Sequence, residues 1–319
     1  MRQIASGQVD DSAILSGWRF RAAMISVALA AAAYLCFALW SGWQDVLTAV
    51  VKVGALGVLV ALSLSLVNYC LRFIRWQAFL RAMGHPVPWQ PSLSIYLAGF
   101  ALTTTPGKAG EALRGVLLKR WGLPYSKSFA AFLSERLSDL LAIVILSLFG
   151  LMLYPAAHTL IVIAGISVVA AFLALSNFQA LNRLQASIQG TSQLLSLLRT
   201  LFQVLKQARQ CHTPQLLAMA TGLSLLAWAA EAWAFHLVLS WMGLDLPLRF
   251  AVFVYAISML AGALSFMPGG LGSAEAVMAL LLISAGVEAA DAVAATILIR
   301  IATLWFAVVL GSISLMRQR

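Results

Sequence analysis

Residues 102–123 read LTTTPGKAGEALRGVLLKRWGL, and residues 264–286 read LSFMPGGLGSAEAVMALLLISAG. In each stretch a Pro-Gly pair ends an apolar run, and a shorter segment follows. Proline removes a backbone donor, and glycine permits turns that other residues resist. Irregular backbone at membrane depth is tolerated only where protein or water covers it. The two stretches therefore predict broken helices that enter a bundle as re-entrant hairpins.

The composition around these breaks indicates that lipid surrounds the protein. Of the 319 residues, 62% are hydrophobic and 10% are charged, whereas soluble domains average about 25% charged residues. Apolar runs lie near 20–40, 53–71, 92–105, 128–153, 157–175, 214–241, 249–267 and 290–316. We expect an all-α polytopic membrane protein with about 6–8 spans, since each span needs roughly 20 apolar residues.

Two segments differ from the apolar runs. The polar N-terminal residues, ending with Arg19 and Arg21, precede a first run that we interpret as an uncleaved span and not a signal peptide. Segment 178–210 repeats leucine and phenylalanine at helical spacing between Gln, Ser, Arg and Lys. This pattern predicts an amphipathic helix that lies either in the membrane interface or on the protein's own cytoplasmic face.

The basic residues predict the orientation of the chain. Its formal charge is +10, and the basic residues lie mainly between apolar runs, as the positive-inside rule expects. With a cytoplasmic N-terminus, 17 of 21 fall on the cytoplasmic side, Arg72, Arg75 and Arg114 among them. Lys52 and Arg249 fall outside. We therefore expect an inner-membrane protein with both termini in the cytoplasm, and no binding to nucleic acid.

An ordered series of residues recurs in the second half of the chain. At offsets of 159 to 164, the matched positions are Met83-Gly84 with Met242-Gly243, Pro88 with Pro247, Tyr96 with Tyr255, Pro106-Gly107 with Pro268-Gly269, Gly110 with Gly272, Glu111 with Glu275, Gly122 with Gly286, and Arg136 with Arg300. Three predicted spans separate equivalent points, so the copies should be inverted. Inverted repeats with broken helices are a recurring transporter plan; a duplication without a transport role is the alternative.

The repeat divides the chain into five segments. These are a cytoplasmic tail (1–18), a first span with an outer loop (19–52), the first repeat (53–153), a connecting span with the amphipathic cytoplasmic segment (154–213), and the second repeat (214–319). Each repeat consists of a helix, a broken hairpin and a helix. The two Pro-Gly breaks should approach each other near the membrane midplane.

The breaks are candidate anion sites. Each opens a new helix N-terminus, whose free N–H groups and positive dipole end favour an anion, and Lys108 adds a charge beside the first. The backbone positions concerned are Pro106, Gly107, Gly110, Pro268, Gly269, Gly270 and Gly272. The functional interpretation is a phosphate or carboxylate site. The alternative is a tight turn between packed helices, with Lys108 at the lipid headgroups.

Charged residues inside an apolar helix form a second candidate site. Glu135, Arg136 and Asp139 lie in one predicted span, where each charge costs on the order of 3 kcal/mol. Arg136 and Asp139 share a helix face and can pair, whereas Glu135 needs another partner, for which Arg114 and Arg300 are candidates. Either these charges pin helices together, or Arg136, Arg300 and Lys108 line a groove that passes a headgroup phosphate between the two arginines.

Further acids in apolar surroundings are Glu111, Glu231 and Glu275. The three cysteines and four histidines show no metal-ligand spacing. The sequence also contains no Walker loop and no convincing catalytic triad. We therefore expect no cofactor, no bound metal and no catalytic residues.

The TPGKAGEALRG break, the SERLSD span and the PGGLGSAEA break with its downstream Arg300 together resemble the transmembrane flippase domain of lysylphosphatidylglycerol synthases. The resemblance covers roughly residues 53–316. That family includes stand-alone proteins, some of them associated with hopanoid biosynthesis. It implies lipid translocation and points to Pro106, Gly107, Gly110, Glu111, Arg114, Glu135, Arg136, Asp139, Pro268, Gly269, Gly272, Glu275 and Arg300. The sequence lacks the aminoacyl-transferase domain, so we do not expect it to make lysyl-phosphatidylglycerol.

Three functions are compatible with these features. The leading one is a flippase that moves a lipid with an anionic or polar headgroup between leaflets. The second is an intramembrane transferase acting on a lipid-linked substrate, with Glu111 or Asp139 as base. The third is an ion-coupled transporter of a small solute. Expected partners are membrane lipids and either a second copy of the chain or separate lipid-synthesising enzymes.

Overall fold

The computed structural model describes residues 25, 27–29, 31, 32, 34, 42–105, 109–150, 158–176, 193–265 and 267–318. Within these ranges all regular secondary structure is helical, which confirms the predicted all-α class. The main helices are α1 (Trp43–Ala82), α2 (Trp89–Ala98), α3 (Ala109–Lys119), α4 (Tyr125–Ser147), α5 (His158–Ser176), α6 (Gln193–Ala208), α7 (Pro214–Trp241), α8 (Leu248–Leu264), α9 (Ser273–Ser284), α10 (Ala289–Arg300) and α11 (Phe306–Met316).

Short turns complete the helical frame. Single 3-10 turns occupy Gly99–Leu102, Leu148–Gly150, Arg209–Cys211 and Pro268–Gly270, and a π-helical turn, Ile301–Trp305, joins α10 to α11. Among the described residues, three helical stretches are long and apolar enough to cross a membrane: Trp43–Ala82, Pro214–Trp241 and Ala289–Met316. Shorter apolar helices span His158–Leu173, Leu248–Leu264 and Pro268–Ser284.

The outer surface of the bundle is apolar. Leu56 and Leu59 on α1 and Ile163 and Ile166 on α5 are more than half exposed. An apolar surface of this extent is rare on soluble monomers and marks a membrane or protein contact. Together with the apolar lengths of the helices, it identifies an integral membrane protein.

Helix α1 extends further than its hydropathy suggests. It bends at Gly54, whose φ of 68° is left-handed, and then continues to Ala82, 11 residues beyond the expected end of the apolar run at residue 71. Arg72 and Arg75 therefore lie within the helix, and Arg75 is fully buried. The placement of these two arginines on the cytoplasmic side of the membrane stays a prediction. The helix continues because their guanidinium groups find carboxylates on α4.

The two halves of the chain repeat the same order of elements. Left-handed glycines end α1 and α7 (Gly84, φ 73°, and Gly243, φ 84°), and others precede α4 and α10 (Gly122, φ 77°, and Gly286, φ 90°). Between these turns, each half contains a helix that begins after a proline, a 3-10 turn and a short helix. The element order therefore follows the sequence repeat, whereas inversion and re-entrance of the copies stay predictions.

The described half of the amphipathic segment is helix α6, and residues 178–192 lie outside the described residues. Helix α6 packs against α4. Val204, Leu205 and Ala208 contact the core, while Leu201 is 50% exposed. This part of the segment therefore packs along the bundle, and its position in the membrane interface or on the cytoplasmic face stays a prediction.

Candidate functional site: a buried arginine cluster

The site is built on α4, which carries three charged side chains near its middle. Glu135 and Asp139 are buried on this helix, whereas the side chain of Arg136 is 35% exposed. Helix α1 brings Arg72 and Arg75 against them, and α3 brings Arg114. We call the six side chains Arg72, Arg75, Arg114, Glu135, Arg136 and Asp139 the arginine cluster.

Asp139 is the centre of the arginine cluster. Its Oδ1 lies 2.6 Å from Arg75 Nη1 and accepts from Trp228 Nε1 at 3.2 Å. Its Oδ2 lies 3.1 Å from both Arg72 Nη2 and Arg136 Nη2. The Arg136–Asp139 pair is the one that the three-residue spacing predicts. Each oxygen thus has its own set of donors. We call Arg75 and Trp228 at Oδ1 the inner donors, and Arg72 and Arg136 at Oδ2 the outer donors.

Glu135 pairs with the expected residue and with one more. Its Oε2 accepts from Arg114 Nη1 at 3.0 Å, and its Oε1 lies 3.7 Å from Arg75 Nη2. Arg300, the other candidate, pairs elsewhere. Arg75 also donates to Ser224 Oγ on α7, so α1, α3, α4 and α7 all meet at this cluster.

Aromatic rings enclose the guanidinium of Arg114. Its Cζ lies 4.4 Å from the ring centre of Tyr96, 5.3 Å from that of Trp76 and 5.7 Å from that of Phe100. A cation over desolvated aromatic faces gains about 2 kcal/mol. At Gly99 an added Cβ would lie 2.3 Å from Arg114 Nε. A glycine is therefore needed for the first hairpin to close over this side chain.

The cluster holds more positive than negative charge. Within the described part of the chain, four guanidinium groups face two carboxylates, an excess of two charges. Buried charge without compensation is costly. The Nε atoms of all four arginines and Nη2 of Arg75 make no hydrogen bond with any residue that the structure describes. The cluster thus has both the charge and the free donors to accept an anion.

The second break is held by a separate ion pair. Arg300 Nε lies 2.6 Å from Glu275 Oε1, and Arg300 Nη2 donates to Gly269 O at 2.8 Å. Glu275 Oε2 accepts from Gly272 N at 2.7 Å, at the start of α9. The helix N-terminus predicted to attract an anion is therefore occupied by the chain's own carboxylate. The π-helical turn begins directly after Arg300.

The residues just before the first break lie next to the second break. An added Cβ at Gly269 would lie 3.5 Å from Thr104 Cγ2 and 3.6 Å from Thr103 O. Thr104 is buried, and its Oγ1 has no hydrogen-bond partner among the described residues. Pro106, Gly107 and Lys108 lie outside the described residues, and only the backbone of Glu111 is described, within α3. Gly110 closes the first hairpin, since an added Cβ would lie 2.2 Å from Gly99 O.

Glu231 lies between the arginine cluster and the second break. Its Oε2 accepts from Tyr255 OH at 2.6 Å, and it is within electrostatic range of both Arg72 and Arg300. Among the described residues Glu231 forms no ion pair. The sequence singled out this acid without assigning it to a site.

The structure adds Arg72, Arg75, Ser224 and Trp228 to the residues found from sequence. Arg72 and Arg75 have the same three-residue spacing as Arg136 and Asp139. The sequence signal for this site was that two pairs of charged residues, Arg72 with Arg75 and Arg136 with Asp139, share a three-residue spacing and each lie at an apolar run. Positive-inside counting masked it, because it assigns an arginine beside an apolar run to the cytoplasm.

Known proteins match the part of the chain that contains these elements. A sequence model of the family described as the lysylphosphatidylglycerol synthase TM region matches residues 23–311. A UPF0104 membrane protein of Pyrococcus horikoshii is 23% identical over 315 residues, covering 88% of this chain and 92% of its own. A UPF0104 membrane protein of Methanothermobacter thermautotrophicus is 25% identical over 286 residues, covering 80% and 83%. The matched span includes both breaks and the arginine cluster, and the chain belongs to the family of the lysylphosphatidylglycerol synthase transmembrane region.

Proposed function

We propose that this protein moves a lipid with an anionic or polar headgroup between the leaflets of the inner membrane. The observation that carries the proposal is the arginine cluster, in which four guanidinium groups face two carboxylates inside an apolar bundle. Ion pairs that only pinned helices together would balance their charges, because an unpaired buried charge destabilises the fold. An anionic headgroup supplies the missing negative charge.

The exposure of the cluster supports a substrate that comes from the membrane. Arg136 has 35% of its side chain exposed, whereas Asp139 beside it has 4%. A headgroup reaching Arg136 meets the buried arginines behind it while its acyl chains stay among the apolar side chains of the outer surface. Arginine suits this role because it stays charged and grips phosphate with two parallel hydrogen bonds.

Contacts between equivalent residues support an inverted repeat. Asn68 Nδ2 donates to Ala227 O at 2.9 Å, and these residues are 159 positions apart, which is the offset of the repeat. Two equivalent residues contact each other where the two-fold axis that relates the repeats passes between them. The meeting of Thr103 and Thr104 with Gly269 supports re-entrant hairpins that converge. Such an arrangement suits alternating access around a central site.

The relay between Arg136 and Arg300 needs one further step. Arg300 is engaged by Glu275 and by Gly269 O, so it receives a headgroup only after it leaves one of them. Glu231 lies within range of both arginine sites and accepts a hydrogen bond only from Tyr255 among the described residues. A buried acid of this kind is also the observation that favours the second candidate, an ion-coupled transporter.

The transferase alternative has less support. Asp139 is engaged by three guanidinium groups and Trp228, which lowers its ability to accept a proton.

We propose that both termini lie in the cytoplasm. Removing Arg75 and Arg114, which are buried, and Arg72, whose side chain is 12% exposed, from the 17 cytoplasmic basic residues leaves 14, against Lys52 and Arg249 outside.

Leaflet exchange of a fluorescent anionic lipid in proteoliposomes tests the proposal. We compare Arg136→Lys and Arg136→Gln with Arg81→Gln, which removes an exposed arginine from the last turn of α1. At matched amounts of folded protein, both Arg136 variants should slow exchange at least about tenfold, because each loses the bidentate grip. Arg81→Gln should exchange at the normal rate. Equal rates in all four proteins would refute the role of the cluster.

A further inference from the structure

The outer half of the arginine cluster has the geometry of a phosphate clamp. Asp139 Oδ1 is held from inside by Arg75 and Trp228, whereas Arg72 and Arg136 are the only described residues that hold Oδ2. An entering anion can therefore replace Oδ2 while Oδ1 keeps its inner partners. Glu135 remains with Arg114 throughout.

The charge excess is located at this outer half. Arg75 with Asp139 and Arg114 with Glu135 form two balanced pairs, so the two unmatched guanidinium groups are those of Arg72 and Arg136. Each contacts Asp139 through Nη2, and the adjacent Nε has no hydrogen-bond partner in the described part of the chain. Nε and Nη2 form the edge with which a guanidinium group grips an oxyanion at two points.

We infer that Arg72 and Arg136 bind a terminal phosphomonoester, and that Asp139 occupies this position when the headgroup is absent. This inference rests on the proposed function and specifies its substrate as a lipid that ends in a phosphate group. Two guanidinium edges need at least three oxygens if they share only one. A phosphomonoester has three terminal oxygens and a charge of about −1.5 to −2 at neutral pH. That charge matches the two unmatched arginines.

Other headgroups fit less well. A phosphodiester has two non-bridging oxygens and one negative charge, so one guanidinium edge is left half-bonded and one charge uncompensated. A zwitterionic headgroup adds a cation to a region that already has an excess of cations. A carboxylate fills only the place that Asp139 Oδ2 already fills.

Binding in detergent tests the clamp without requiring transport. The probes are short-chain phosphatidic acid as the lipid phosphomonoester, phosphatidylglycerol as the diester and phosphatidylcholine as the zwitterion, all with the same acyl chains. We expect phosphatidic acid to bind at least about tenfold tighter than the other two, as one lost bidentate grip predicts. Equal affinity for phosphatidic acid and phosphatidylglycerol overturns the inference.

Glycerol 3-phosphate identifies the source of the phosphate. It should compete with phosphatidic acid only at much higher concentration, because it lacks the acyl chains. If it binds as tightly as the lipid, the substrate is a soluble phosphate ester, and the lipid inference is wrong. Selective binding of phosphatidic acid without leaflet exchange would instead contradict the proposed function and leave the clamp in place.

Asp139→Asn provides a gain of affinity that a structural role does not predict. Removing the competing carboxylate should tighten phosphatidic acid binding several-fold and increase the rise in Tm that the lipid produces. Arg136→Gln should abolish the preference for the monoester, whereas Arg81→Gln should keep it. If Asp139→Asn fails to fold, Arg136→Gln still decides the question, because its side chain lies at the edge of the cluster. A retained preference in Arg136→Gln overturns the clamp.

Discussion

The ion pair between Arg300 and Glu275 is expected to stabilise the second break as a coupled unit. Glu275 contacts Arg300 Nε with one oxygen and Gly272 N with the other, and both side chains are about 5% exposed. Glu275→Ala removes both interactions at once. Loss of one partner of a buried pair costs about 3–5 kcal/mol, and loss of a helix cap about 1 kcal/mol.

Glu275→Gln separates the two effects. The amide oxygen still accepts from Gly272 N, so the cap is preserved, but the charge opposite Arg300 is lost. Arg300 then keeps Gly269 O and the sulfur of Met259 as neutral partners. We expect the double variant Glu275→Gln/Arg300→Met to lose about 2–3 kcal/mol less stability than the sum of the losses in the two single variants. The reason is that the double variant leaves no bare charge.

The assay is a double-mutant cycle of unfolding free energies in detergent. The native protein, Glu275→Gln, Arg300→Met and the double variant are measured under one condition. The expected coupling energy of about 2–3 kcal/mol lies within the range for groups in contact. Additive effects within about 0.5 kcal/mol would show that the ion pair contributes nothing beyond its separate contacts, and the account of the second break would be refuted.

Three further predictions concern packing, thiol chemistry and topology. Gly110→Ala should destabilise the protein by about 1–3 kcal/mol or prevent folding, because the added Cβ would meet Gly99 O. Gly222→Ala is the control, since Gly222 has open space around it, and this variant should be neutral or stabilising in thermal unfolding. Burial raises the pKa of the Cys211 thiol to about 12, so a water-soluble maleimide should label it at pH 8 only after unfolding; rapid labelling of folded protein would contradict this. A single cysteine at His158 should be labelled from outside intact cells once the native cysteines are replaced, and labelling only after permeabilisation would reverse the topology.

The local features of the chain were predictable from sequence. The Met83-Gly84 and Met242-Gly243 turns adopt left-handed backbone at their glycines, which is a local steric property of that residue. Arg136 pairs with Asp139 because three residues along a helix return to the same face. The apolar composition determined the all-α membrane class, since lipid-exposed backbone must satisfy its hydrogen bonds within each segment.

The composition of the site was decided by tertiary structure. Arg75 and Asp139 are 64 positions apart, and nothing in the sequence around Arg75 identifies Asp139 as its partner. Hydropathy adds up residue by residue along the chain, whereas the cost of burying a charge depends on a partner from another helix. For the same reason Arg300 lies with Glu275 and not with Glu135. The sequence by itself determined where the helices break and which residues are charged, and only the packing of α1, α3 and α7 around α4 decided which of these charges pair with one another.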